Sequence, residues 1–293
     1  MDSKKIIEEI ATELLRQAAC ELPDDVAKAL KRGYDNEKNG SVAKAQLGAI
    51  IDNFSKAANF CLPMCQDTGI HIFYVEFGEN VTWIKGTEIK EALIAASRKA
   101  TKSVPMRPNA VNPIVGGNSG DNTGRHIPFV NWEIVSGNKL KITAFPKGGG
   151  SENMSTLGML KPGQGLKGVK QFVIDTIIKA GGQPCPPTIV GVGIGGGADI
   201  ALKIAKKQLQ RTIGERHHEL EIAKMEKELL EAINMTGIGP QGLGGVTTSL
   251  DVFMDYTMRH PASLPVGVSV QCWAGRHASA IIDTDGNVDY LRK

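Results

Sequence analysis

Dense glycine clusters constrain the backbone of this chain more than any other feature of its sequence. The chain contains 34 glycines. Many of them fall in four segments, namely residues 116–120, 147–150, 191–197 and 239–245. Glycine is needed where the backbone turns sharply or where a side chain would block a close approach. We therefore expect turns or close backbone contacts at these four places.

Hydrophobic periodicity predicts alternating helical and extended segments. Helical spacing covers residues 4–20, 42–60, 87–103, 165–180, 199–209 and 217–233, with Ser41 as the N-cap of the second helix. Extended patterns cover residues 70–77, 129–135, 139–145, 188–194 and 264–271. The short turn between residues 135 and 139 predicts a hairpin, and the turn residues 283–287 predict a final one. We predict a mixed α/β (α+β) fold in one catalytic domain over residues 1–293, with a helical N-terminal part (1–60) before a sheet-containing core.

Composition indicates a folded protein and excludes several functional classes. Charged residues make up 22% and apolar residues 41% of the chain, and its formal net charge is +3. Lysine and arginine are dispersed among acidic residues, which argues against a nucleic-acid surface. The sequence contains no apolar run long enough for a membrane span and no signal peptide. Five cysteines without an export signal indicate a reducing compartment, so we predict a cytoplasmic protein without disulfides.

The stretch Cys65-Gln66-Asp67-Thr68-Gly69 carries the greatest density of chemical groups. It combines a thiol, an amide, a carboxylate and a hydroxyl, followed by a glycine that allows a sharp turn. A plain turn would not need a thiol beside a carboxylate. A buried cysteine can also be a small apolar packing residue, so this stretch alone leaves both interpretations open.

Position in the pattern divides the five cysteines into two groups. Cys65, Cys185 and Cys272 lie at element boundaries, where ligands from separate loops can converge, whereas Cys20 and Cys61 lie in helical patterns typical of packing residues. The absence of a C-x-x-C pair makes a structural zinc site a poor explanation. Three thiolates suit a [4Fe–4S] cluster with one iron that has no protein ligand.

A nucleotide-binding module is the alternative from a different functional class. Residues Gly191–Gly196 satisfy G-x-G-x-x-G between a predicted strand and a predicted helix. The acidic residue that such a site needs would fall near Glu215, where no apolar strand precedes it. A tight turn between strand and helix explains the glycines more simply.

Seven motifs together resemble the α subunit, or N-terminal half, of class I iron–sulfur fumarate hydratases. In order they are residues 65–69, 107–111, 122–124, 147–153, 185–187, 239–242 and 272–274. The α subunit of L-tartrate dehydratase is a close relative of that family. The resemblance covers nearly the whole chain, and the joint occurrence of the motifs is far more specific than any one of them.

The resemblance implies a reaction and a set of site residues. Cys65, Cys185 and Cys272 match the metal ligands of a [4Fe–4S] cluster whose open iron acts as a Lewis acid. The residues that match substrate contacts are Gln66, Asp67, Arg107 and Gly150. Asp67 and His260 are the candidates for catalytic proton handling, or for orienting the group that handles the proton. The implied reaction is the reversible hydration of fumarate to (S)-malate, with L-tartrate dehydration as the alternative.

The resemblance also implies a partner. Family members on one polypeptide continue into a second domain, so we expect a separate β subunit that completes the site, in a hetero-oligomer such as α2β2. Small dicarboxylates are the expected substrates, and neither nucleic acid nor a membrane is an expected partner.

Simpler interpretations of two of these residues stay open. Considered without the resemblance, Arg107 before a proline would be a solvated surface residue, and His260 before a proline would be a turn residue.

Overall fold

The fold combines helices and two mixed sheets, which confirms the predicted mixed α/β class. The computed structural model describes residues 3–291. Its helices are α1 (Ser3–Cys20), α2 (Asp24–Asn36), α3 (Val42–Phe60), α4 (Gly86–Ser103), α5 (Gly149–Glu152), α6 (Gly165–Ala180), α7 (Ala198–Gln208) and α8 (Leu220–Asn234). Its strands are β1 (Ile72–Gly78), β2 (Phe129–Val135), β3 (Leu140–Ala144), β4 (Thr156–Leu160), β5 (Thr188–Gly196), β6 (Ser249–Arg259), β7 (Leu264–Gln271), β8 (Ala278–Ile282) and β9 (Val288–Leu291). Within this described range, no helix has the length and apolar character needed to cross a bilayer.

The chain forms two compact units, each assembled from separated segments. Unit 1 comprises the residues up to Asp24, Asn53–Gly149, and the residues from Arg276 onward. Unit 2 comprises Asp25–Asp52 and Gly150–Gly275. The prediction that residues 1–293 act as one catalytic domain stays a prediction.

Unit 1 is a five-stranded sheet with the strand order β2-β1-β3-β8-β9. Its core joins α1 and α4 to the apolar face of the sheet, and the predicted stripe of α1 is buried at Ile7, Ile10 and Leu14. Such a stripe buries one face of a helix and leaves the other in water. The predicted turn at residues 283–287 joins β8 and β9, where Asp283 N–H donates to the Asn287 carbonyl at 3.1 Å.

The hairpin predicted from residues 129–145 is wrong. β1 lies between β2 and β3, parallel to β2 and antiparallel to β3. The end of β1 lies between the two residues that flank the turn, because Gly78 N–H donates to the Lys139 carbonyl and Glu79 N–H donates to the Val135 carbonyl. A short turn predicts pairing of its two flanking strands only when no third strand competes for their edges, and here β1 does.

Unit 2 is a four-stranded sheet with the order β4-β7-β5-β6. A second apolar core joins this sheet to α6 and α8. α7 lies so close to β5 that a Cβ on Gly191 would be 2.0 Å from the Ala205 carbonyl oxygen, and one on Gly193 would be 2.1 Å from that of Ala201. These two glycines are therefore explained by the packing of a helix on a strand, without a nucleotide.

Candidate functional site

The Cys65–Gly69 loop of unit 1 connects α3 to β1 and is fixed by short polar contacts. Met64 N–H, just before it, donates to the Ala19 carbonyl at 3.0 Å. The Thr68 hydroxyl donates to the Arg107 carbonyl at 3.0 Å, which joins the loop to the second predicted motif. Thr68 is buried whereas Gln66 is exposed, so the loop presents its amide side chain outward.

Two asparagines hold these segments together, and neither was predicted to have a role. The Asn109 amide lies 3.3 Å from both the Thr68 hydroxyl and the Gly69 carbonyl. The fully buried Asn122 accepts from Asn109 N–H at 2.6 Å and donates to the Arg107 carbonyl at 3.1 Å. Both asparagines lie in recognisable motifs, and a buried amide that bridges two loops is a positioning device.

A cleft of about 620 Å³ opens at this loop in unit 1. The lining residues are Leu62, Pro63, Cys65, Gln66, Thr68, Pro105, Met106 and Arg107. The Arg107 side chain is exposed and forms no ion pair with any residue between 3 and 291. A guanidinium without a carboxylate partner is available to bind the carboxylate of a ligand.

The Asp67 carboxylate organises the backbone around it. One oxygen accepts from Gly69 N–H at 3.0 Å and the other from Gly149 N–H at 2.7 Å. A Cβ on Gly148 would lie 3.1 Å from the second oxygen, so a glycine there keeps the approach open. Asp67 therefore ties the predicted glycine loop to the predicted cysteine loop.

His71, one residue after Ile70, is a buried group that our sequence analysis missed. It is fully buried, and neither ring nitrogen has a hydrogen-bond partner within the described part of the chain. Burial lowers its pKa to about 4, with a smaller contribution from the positive charge of Arg276. The imidazole is therefore neutral at pH 7, because burial disfavours the charged form.

This lowered pKa makes the stability of the fold depend on pH. Below pH 6.5 the unfolded chain protonates His71 while the folded chain does not, so the free energy of unfolding is expected to fall as the pH drops from 6.5 to 4. The contribution of His71 to this loss is about 3 kcal/mol. His71→Met should remove it, and His218→Gln, at an exposed histidine, should not. Urea unfolding at pH 7 and pH 4.5 measures the difference, and equal pH dependence in the wild type and His71→Met would contradict this assignment.

Cys185 and Cys272 lie together at one end of the unit 2 sheet. Cys185 precedes β5 and Cys272 follows β7, its antiparallel neighbour. The Trp273 N–H donates to the Cys185 carbonyl at 3.1 Å, which links the two loops directly. Cys185 has a φ of 55°, a left-handed conformation that non-glycine residues rarely adopt and that is concentrated at functional sites.

The donors in these loops fit the predicted iron–sulfur cofactor. Cys272 is half-buried and Cys185 exposed, and Cys65 is a half-buried residue of the unit 1 cleft. All five cysteines lie in the described range and none forms a disulfide. Thiolates are the usual ligands of iron–sulfur clusters, so each of these three side chains has the chemistry to ligate iron, and their sharing of one cluster stays a prediction.

The remaining two cysteines differ from each other. Cys20 is buried in the unit 1 core, and burial raises its pKa to about 11, as suits a packing residue. Cys61 is exposed, immediately follows α3 and accepts a hydrogen bond from Arg16 at 3.3 Å. The interpretation of Cys61 as a packing residue was wrong, because α3 ends at Phe60 and the next residue turns away from the helix.

Two other predicted site residues belong to unit 2. Gly150 is exposed, and a Cβ there would have only the Gln183 carbonyl within 3.8 Å. His260 is exposed in the turn between β6 and β7, and its Nδ1 accepts from Ala262 N–H at 3.1 Å. Because β7 has eight residues, His260 and Cys272 lie at opposite ends of a strand about 26 Å long. The structure does not bring His260 together with Cys185 and Cys272 of the same chain.

A histidine pair offers another group of metal-type side chains, but its hydrogen bonding disfavours a metal. Ligand atoms of His217, His218 and Glu219 lie within 4.8 Å of one another. The Nδ1 of His217 accepts from Glu219 N–H at 3.1 Å. Binding of a metal at Nε2 would put the proton on Nδ1, where it would oppose that donor.

Two comparisons with known proteins place the chain in one family of hydro-lyases. The family model described as "Fumarate hydratase (Fumerase)" matches residues 8–281. A protein of Methanocaldococcus jannaschii, provisionally named L(+)-tartrate dehydratase subunit alpha, is 49% identical over 96% of this chain and 99% of its own length. The L(+)-tartrate dehydratase subunit alpha of Escherichia coli K12 is 35% identical over 94% of this chain and 91% of its own length, and the protein of that name from Shigella sonnei matches equally well. With the match spanning both units, the chain belongs to the fumarate hydratase (Fumerase) family.

Proposed function

We propose that this chain is the α subunit of an iron–sulfur hydro-lyase that interconverts fumarate and (S)-malate. The observation that carries the proposal is the unit 1 cleft, which is lined by Cys65, Gln66 and Arg107. A metal ligand, an amide and an unpaired guanidinium around one cleft suit a small dicarboxylate. Membership of the family supports hydro-lyase chemistry.

Cys65, Cys185 and Cys272 would hold a [4Fe–4S] cluster in this proposal. When bound, the cluster supplies a Lewis-acidic iron that polarises the substrate hydroxyl, with no net redox change. The reaction in the dehydration direction removes a hydroxyl from one carbon and a proton from its neighbour, which gives water and the alkene. The chain itself must therefore orient the acid and handle one proton.

Arg107 binds a substrate carboxylate in this proposal, and Gln66 donates to the same substrate. Asp67 is the candidate for proton handling, or for orienting the group that does so. Its bonds to the Gly69 and Gly149 amides support an orienting role, because both carboxylate oxygens already accept hydrogen bonds. Gly150, next to Gly149, leaves its backbone accessible to substrate.

His260 is assigned to a site on a second copy of the chain. It is exposed, and its Nδ1 is occupied by a backbone N–H, so the neutral ring carries its proton on the exposed Nε2. The length of β7 separates it from the cysteines of its own unit 2. A hetero-oligomer that contains two α chains would bring this histidine to the neighbouring site.

A β subunit completes the active site in this proposal, because the relatives are named as alpha subunits. Purified alone with its cofactor, the chain is expected to show little or no turnover, and co-expression with a β subunit should restore it. The assay follows hydration of fumarate and dehydration of malate under anaerobic conditions. Full turnover by the isolated chain would contradict the need for a partner.

L-Tartrate dehydration is the second candidate, favoured by the names of the relatives. Tartrate differs from malate by one hydroxyl group. A site without a partner for that hydroxyl discriminates against tartrate by about 100-fold in kcat/KM. We expect the αβ enzyme to prefer malate by this margin, and a clear preference for L-tartrate would replace fumarate hydration as its activity.

A further inference from the structure

Arg276 is a buried arginine with most of its hydrogen-bonding capacity unused. Its side chain is 1% exposed, and Nη2 donates to the Asp67 carbonyl at 2.5 Å. Nε and Nη1 have no hydrogen-bond partner, and no carboxylate among residues 3–291 lies within ion-pair distance. A guanidinium is always charged, and a buried charge without a counter-ion opposes folding.

The surroundings of Arg276 are arranged to keep this contact with Asp67. A Cβ on Gly148 would lie 3.3 Å from Nη2, so the missing side chain leaves room for the guanidinium. His71, a buried base nearby, is neutral because burial lowers its pKa to about 4. The Asp67 main chain is thus held by Arg276, while the Asp67 side chain holds the amides of Gly69 and Gly149.

We propose that Arg276 is a positioning residue, which fixes the Asp67 main chain and thereby the Cys65–Gly69 loop. This inference rests on the proposed function, in which that loop carries a cluster ligand and two substrate contacts. Arg276 acts through Asp67 and does not contact substrate. The buried charge of Arg276 opposes folding. Its presence is explained by the position in which its hydrogen bond holds the loop.

The first test uses amide hydrogen exchange and does not depend on any reaction. Arg276→Met replaces the charge by an apolar chain, and Arg32→Gln, at an exposed arginine of α2, is the matched control. We expect exchange of the Gly69 and Gly149 amides to rise by about tenfold in Arg276→Met, because their acceptor is no longer fixed. The unfolding temperature should stay within about 3 °C of the wild type, since loss of a buried charge offsets loss of its hydrogen bond. Arg32→Gln should change neither.

The second test uses the αβ enzyme with its cofactor. In Arg276→Met, kcat for malate should fall by about 100-fold while KM changes by less than about threefold, because a misplaced reacting group costs rate more than binding. In Arg276→Ala, added methylguanidinium should recover a substantial part of the lost kcat, which methylammonium should not do. If methylguanidinium does not restore kcat, and if the unfolding temperature of the Arg276 variants falls together with kcat, then Arg276 only supports the fold.

The two tests separate failure of this inference from failure of the proposed function. A wild-type αβ enzyme without hydro-lyase activity would overturn the proposed function, yet the exchange result would still decide the role of Arg276. Unchanged exchange at Gly69 and Gly149 in Arg276→Met would overturn the positioning role, whatever the wild type catalyses.

Discussion

Replacing Cys65, Cys185 or Cys272 by alanine is expected to abolish both the bound iron and the hydro-lyase activity. A [4Fe–4S] cluster held by three thiolates cannot lose one and keep its geometry, and loss of the cluster removes the Lewis acid on which the proposed chemistry depends. The measurement is the iron content and visible absorbance of anaerobically purified protein, with activity assayed in the presence of the β subunit. Each of the three variants should be colourless and inactive.

Cys61→Ala and Cys20→Ala are the matched controls for this series. Cys61 is an exposed thiol four residues before Cys65, and Cys20 is a core thiol in the same unit. Both variants should keep their colour, iron and activity. Retention of iron in Cys185→Ala or Cys272→Ala would show that the thiol concerned is not a ligand, and a colourless wild type that binds NAD would favour the nucleotide-binding alternative.

Two variants of the α chain, one nearly inactive and one inactive, are expected to restore activity when they are combined. His260→Gln alone should lose about 100-fold in kcat, as expected for loss of a proton-handling group. Cys272→Ala alone should be inactive. When both variants are co-expressed in equal amounts with the β subunit, half of the α-chain pairs should contain one copy of each variant. In each mixed pair, one of the two sites combines the intact cysteines of one chain with the intact histidine of the other. About a quarter of all sites, and so about a quarter of the wild-type activity, should therefore be recovered.

This result follows from the position of His260 at the far end of β7 from Cys272. If His260 served the cysteines of its own chain, every site in the mixture would lack either the cluster or the histidine, and activity would not rise above that of His260→Gln alone. His218→Gln, at an exposed histidine elsewhere in unit 2, controls for the loss of an imidazole and should keep full activity. Full activity of His260→Gln would remove this histidine from the mechanism.

The sequence predicted the elements that carry a strong local signal. The Ser41 N-cap is confirmed, since Lys44 N–H donates to its hydroxyl at 3.1 Å, and α3 follows it over Val42–Phe60 as expected. Two strands, β4 and β6, were not predicted. Strand pairing depends on partners far along the chain, and the insertion of β1 between β2 and β3 has no local signature.

The candidate site was predictable where its residues carry distinctive chemistry. The structure brings Cys65, Gln66 and Arg107 to one cleft and places Cys185 beside the Cys272 loop. Arg276 and His71 were missed, because nothing in the sequence shows that this arginine is buried without a counter-ion or that this histidine is buried without a hydrogen-bond partner. The predicted role of Gly150 and the cluster itself stay predictions.

The segmented construction of unit 1 has a consequence for synthesis of the protein. Arg276 and the strands β8 and β9 are translated after residues 150–275, which form most of unit 2. While the ribosome makes unit 2, the sheet of unit 1 therefore has only three of its five strands, and the carbonyl of Asp67 has no guanidinium to accept from. The Cys65 loop thus acquires its anchor only late in translation.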